Sequence, residues 1–202
     1  MERTISWVAL AAGVVALVVL VISLFMPWWQ LNVGNNFFNV YSSPINTNFS
    51  LNGSQFTVPI IWAWNLSNIL LFAAGGIVML LYAFRPTKTY SKDLLNFSYK
   101  KPLYALISFT IGLIVIVVLA GGFGVNFPLM GAGNVKFTFP SFIPINGSIT
   151  TSVNATFLLP FWLAIAAAAL CVAARVYHGQ LNKTPLAAPP QAETNIAEPK
   201  PN

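Results

Sequence analysis

Phe56-Thr57-Val58-Pro59-Ile60-Ile61-Trp62 is the point at which a polar stretch rich in Asn, Ser and Thr gives way, across a proline and a tryptophan, to a long apolar run. The pattern returns in altered form at Phe157-Leu158-Leu159-Pro160-Phe161-Trp162. Both read as entries into a membrane. Apolar runs of similar length cover Ile5 to Phe25 and Leu103 to Phe123, beside Ile60 to Phe84 and Phe157 to Val176. A helix needs about 20 mostly apolar residues to cross about 30 Å of hydrocarbon, and each run meets that length. With 202 residues, 56% hydrophobic and 7% charged, the chain carries more apolar surface than one small soluble core can hide.

The expected fold class is therefore an all-α membrane protein, a four-transmembrane-helix bundle with both termini inside and two β-hairpin-containing extracellular loops forming a small cap. Residues 1–178 form the transmembrane domain, with outer segments at 26–59 and 124–156 and an inner connection at 85–102. Residues 179–202, Pro- and Ala-rich with scattered charges, read as a disordered cytoplasmic tail. The first run is longer than the apolar core of a signal peptide and lacks a small-x-small cleavage pattern at Phe25-Met26-Pro27-Trp28, so it reads as a retained helix.

Charge sets the expected orientation. Arg3, Arg85, Lys88, Lys92, Lys100, Lys101, Arg175, Lys183 and Lys200 fall on one side of this map and Lys136 on the other, which places the basic side in the cytoplasm of a multi-pass plasma-membrane protein. The net charge of +6 is then a topology signal and an attraction to anionic lipid headgroups, with no nucleic-acid partner implied. The outer segments hold no Asp, Glu or His. Such a surface keeps its charge in acid, which points to an acidic exterior of the kind archaeal envelopes meet.

Within the second run, Asn65, Ser67 and Asn68 are polar at membrane depth. Asn65 and Asn68 share a helix face and should look inward to another helix or to buried water. Outside, Asn52-Gly53 and Asn146-Gly147 sit between alternating apolar residues and read as hairpin turns. The two outer segments can then pair as one β-layer over the helices. Asn48, Asn52, Asn146 and Asn154 each begin an N-glycosylation acceptor pattern. Trp28 and Trp29 are expected at the level of the lipid headgroups. Small residues at four-residue spacing, Ala9 with Gly13 and Ala12 with Ala16, together with the Ala-rich fourth run, suit close contact with a protein partner or a second copy.

The four-span plan, with Pro27-x-Trp29 closing the first helix, resembles the claudin-type tetraspan arrangement. The Gly-Leu-Trp and paired-Cys signature of that family's first outer loop is missing, so no function carries across.

Catalytic inventory is thin. One Cys and one His exclude an intrachain disulfide, a Cys/His zinc cage and a bis-His haem, so no cofactor is expected. All four acids, Glu2, Asp93, Glu193 and Glu198, fall on the cytoplasmic side, which leaves outer hydroxyls without an activating base. The expected function is a non-enzymatic membrane scaffold, envelope protein or structural subunit of a larger complex. The alternatives are a pore or carrier for a small neutral solute, lined by Asn65, Ser67 and Asn68, and an accessory subunit of a respiratory or redox membrane complex.

Overall fold

The computed structural model describes residues 5–34, 37–51, 53–86, 89–122, 126–138 and 148–181. In chain order the elements are α1 (Trp7–Ser23), β1 (Trp29–Val33), β2 (Phe38–Ser42), β3 (Thr47–Leu51), β4 (Ser54–Phe56), α2 (Pro59–Phe84), α3 (Ser91–Gly122), β5 (Gly131–Thr138), β6 (Ser148–Phe157) and α4 (Leu159–Leu181).

The strands overturn the all-α expectation. They form one six-stranded sheet in the order β4-β3-β2-β1-β6-β5, every pairing antiparallel. The architecture is four helices plus this sheet, and a four-helix all-α bundle with a small cap is not what the chain builds. Two physical causes can be named. The alternation in the outer segments extends further than the two hairpins require: Trp29-Gln30-Leu31-Asn32-Val33 is itself a strand, and it bridges the segments by pairing with β2 on one side and β6 on the other. The first helix is also cut short. Of the four, α2, α3 and α4 are long and apolar enough to cross a membrane, while α1 has 17 residues. At about 1.5 Å per residue it falls short of a full span.

What stops α1 is visible at its end. Ser23 donates its hydroxyl back to the Val19 carbonyl at 2.6 Å, and Trp28 Nε1 donates to Ser23 Oγ at 2.6 Å. The chain thereby doubles back into the sheet, where Trp28 N bonds the Ser42 carbonyl and Leu158 N bonds the Trp28 carbonyl. Trp28 and Trp29 are 1% and 0% exposed, so neither anchors in a headgroup layer. Trp28 lies edge-on to Phe72, Phe109 and Phe161, from α2, α3 and α4, and Trp29 Nε1 bonds the Leu129 carbonyl. An indole here fills the space between three helices and satisfies its own N–H, which burial demands.

One apolar core therefore runs without a break from helices to sheet. Ala16, Phe72, Phe109 and Ala164 share it with Trp29, Leu31, Val40 and Ala155. A second core, with Met79, Tyr82, Leu95 and Cys171, closes the opposite end of the helices. The small-residue face of α1 is used inside the chain: Ala9, Ala12, Gly13 and Ala16 are all buried, and Gly13 and Gly76 let α1 and α2 approach closely.

The inner connection at 85–102 is not separate from the helices. Helix α3 begins at Ser91 and runs through Pro102, so most of that connection is helical. Gly75 of α2 lets the Pro102 ring pack closely against that helix, since a Cβ at that position would lie 2.5 Å from Pro102 Cδ. The absent side chain gives the ring room.

Candidate functional site: the outer face of the sheet

Alternation along a strand sends successive side chains to opposite faces. One face of this sheet carries Trp29, Leu31, Val33, Val40, Val153 and Ala155, all buried in the shared core. The other is built almost wholly from amides and hydroxyls. Register aligns them in rows: Asn154 stands opposite Asn32, Asn32 opposite Asn39, Asn39 opposite Ser50, and Ser50 opposite Gln55. A second row runs Thr156, Gln30, Tyr41, Asn48. Among the described residues of the sheet Lys136 is the sole charge.

At the β1–β6–β5 side this face opens into a cleft of about 760 Å3 lined by Asn32, Gly34, Ala132, Gly133, Asn134, Ser152, Val153 and Asn154. Gly34 ends β1 at φ 55°, a left-handed conformation that favours glycine, and its N–H bonds the Ser152 carbonyl. A Cβ there would meet Thr151 Oγ1 at 2.5 Å. Asn32 Oδ1 is buried and has no hydrogen-bond partner.

The expected acceptor residues divide. Asn48 and Asn154 lie on this outer face, each with its hydroxyl partner, Ser50 or Thr156, two positions on and so on the same side of the strand. Asn154 is exposed and Asn48 half-buried. Asn52 and Asn146 lie outside the described residues. The neighbouring Gly53 has φ 83°, and β3 and β4 pair across it as the Asn-Gly turn anticipates.

The intramembrane polar trio also divides. Asn65 and Asn68 are 4% and 2% exposed, on the inward face of α2. Asn65 Nδ2 donates to Thr47 Oγ1 at 3.0 Å, and Thr47 Oγ1 is 2.9 Å from Ser42 Oγ. The partner is thus a strand, where a helix or water had been expected. Asn68 Nδ2 is buried without a partner. Ser67 faces outward and returns its hydroxyl to the Ala63 carbonyl at 3.2 Å, so it does not join the other two.

At the opposite end of the helices, His178 is buried, with Nδ1 2.8 Å from Tyr82 Oη and the rings edge to face. Cys171 is buried in the same core. Arg85, Lys92, Lys100, Lys101 and Arg175 belong to this end.

The residues missed in sequence were Asn32, Asn134 and Ser152. Gln30 and Asn32 between Trp29, Leu31 and Val33 already display the alternation, but register across strands is what gathers them. No protein-family model matches the chain, and no curated protein matches it.

Proposed function

We propose that this chain is a non-enzymatic integral membrane protein of the cell envelope, a scaffold or the structural subunit of a larger complex, which holds an uncharged polar sheet outside the plasma membrane. The observation that carries the reading is the division of the sheet into a buried apolar face, fused to the helix core, and an outer face of amides and hydroxyls. Exposed Leu70, Ile77, Ile111 and Val118 give the helices an apolar exterior suited to lipid. Arg85, Lys92, Lys100, Lys101 and Arg175 gather at the end away from the sheet, which favours that end in the cytoplasm beside anionic headgroups. The outer face holds no carboxylate or imidazole, in keeping with service in an acidic exterior and with a glycan at Asn48. On α4, Ala166, Ala169 and Ala173 point outward and leave a slim strip for a partner helix.

Gentle solubilisation from native membranes, followed by mass spectrometry of what copurifies, tests the assignment. A stable partner or homo-oligomer is the expected outcome, and a bare monomer overturns it. Orientation is read separately. An impermeant maleimide should label Lys136→Cys in intact cells and Lys92→Cys only after permeabilisation.

The alternative of a pore or carrier for a neutral solute draws on Asn68, whose buried amide donor lacks a partner. Flux of a neutral solute into liposomes, lost when Asn65 and Asn68 are both changed to Leu, would favour it.

A further inference from the structure

The cleft at the β1–β6–β5 side has no part in the packing described above, and every side chain that lines it is uncharged. Asn32, Asn134 and Asn154 supply amides and Ser152 a hydroxyl, while Gly34 and Gly133 leave the backbone open. We infer that it binds a neutral saccharide borne by another molecule of the cell envelope.

The volume of about 760 Å3 suits a few sugar rings, within the usual range of ligand clefts of about 300 to 1,000 Å3. Each amide presents an acceptor oxygen and two N–H donors, and each hydroxyl both gives and accepts. Sugar hydroxyls have the same double character, so side chains of this kind match them without any charge. A phosphate or carboxylate would enter with no counter-charge, because no ionisable group lines the cleft. An apolar ligand would strip water from four polar side chains and return no hydrogen bonds. Asn32 Oδ1 is buried without a donor, so turning that side chain into the cleft breaks no hydrogen bond to this oxygen and gives it a sugar hydroxyl as donor. Lys136 lies two residues beyond Asn134, so positive charge begins only past the rim.

The inference rests on the sheet lying outside the lipid, and labelling of Lys136→Cys examines that independently. The test uses the full chain, made in a host without N-glycosylation and held in a detergent with no sugar headgroup. Calorimetric titration with maltotetraose, mannotetraose and tetra-N-acetylchitotetraose should show saturable binding of at least one, and tetragalacturonate should bind far less. Asn134→Ala, exposed on the edge strand, should weaken binding about tenfold, the scale of one neutral hydrogen bond. Near-UV circular dichroism confirms that each variant remains folded. No saturable binding of any neutral tetrasaccharide up to about 10 mM overturns the proposal, as does equal binding of the charged one or an unchanged affinity in folded Asn134→Ala and Asn32→Ala. The chain's own glycan is the competing occupant. If protein from a glycosylating host fails to bind while its Thr156→Val variant, which lacks the Asn154 acceptor pattern, does bind, the cleft belongs to that glycan and the assignment to an outside saccharide falls.

Discussion

Asn65 of α2 donates its amide to Thr47 Oγ1 of β3 at 3.0 Å, so a polar residue carried on a lipid-seeking helix is satisfied by the sheet. Ser42 completes the group. The contact adds a directional hydrogen bond between α2 and β3 to the apolar packing of helices against sheet.

Replacing Asn65 by Leu should destabilise the protein by about 1–2 kcal/mol, because Thr47 loses its donor in a buried place. Thr47→Val should cost a similar amount. The double variant should cost clearly less than the sum, which is the mark of direct coupling. Denaturant unfolding of the four proteins in mild detergent closes the cycle, and strict additivity would refute the clasp.

Trp28 is the residue around which three helices and the sheet meet. Trp28→Ala should cost about 3–5 kcal/mol through the cavity it leaves, and Trp28→Phe about 1 kcal/mol for the lost N–H bond to Ser23. Trp62, 52% exposed on the outside of α2, should tolerate Ala within about 0.5 kcal/mol. Thermal melts would show whether this order holds.

Gly75 and Pro102 set the closeness of α2 and α3. The proline ring cannot rotate away from a new methyl group, so Gly75→Ala should cost about 1–3 kcal/mol. Gly122, with nothing within 4 Å of a built Cβ, should accept Ala without loss. Equal stability of the two variants by chemical denaturation would count against the packing described.

Acid should leave the sheet intact. Its strands contain no Asp, Glu or His, so the folded and unfolded forms of this region take up no protons between pH 7 and about 3, and its stability has no slope there. Near-UV circular dichroism from the buried Trp28 and Trp29 should stay constant over that range in a non-ionic detergent. A transition in the carboxylate range would contradict this.

Glycosylation at Asn48 is read by mass. Made in a glycosylating host, the protein should lose one glycan mass with Asn48→Gln. A wild-type mass equal to that of the bare polypeptide would remove the glycan from the proposed function.

Much of this architecture is legible in the residues. Pro59 and Phe84 bound α2 within one residue of the apolar run, and Asn52-Gly53 anticipates the β3–β4 hairpin. The start of α3 escapes because Lys92, Asp93, Lys100, Lys101 and Pro102 resemble a surface connection. It takes α2 alongside to bury Ser91, Leu95 and Ser98 and hold those turns in a helix. Trp28 and Trp29 mislead for a related reason, since an indole beside a proline at a helix end suits a headgroup layer equally well.

By itself the sequence determined where the chain is oily, where it is cationic, which stretches alternate, and that its outer segments carry almost no charge. These are properties of residue order, and local physics acts on them directly. Only the tertiary structure decided that β1 lies between β2 and β6, that six strands make one layer, that Asn65 answers to Thr47, and that Asn32, Asn134, Ser152 and Asn154 share a cleft. The β1–β6 pairing and the cleft depend on strand register between residues more than a hundred positions apart, and the Asn65–Thr47 contact on how α2 packs against β3. A shift of one residue would turn the amide face into the core and the tryptophan face outward.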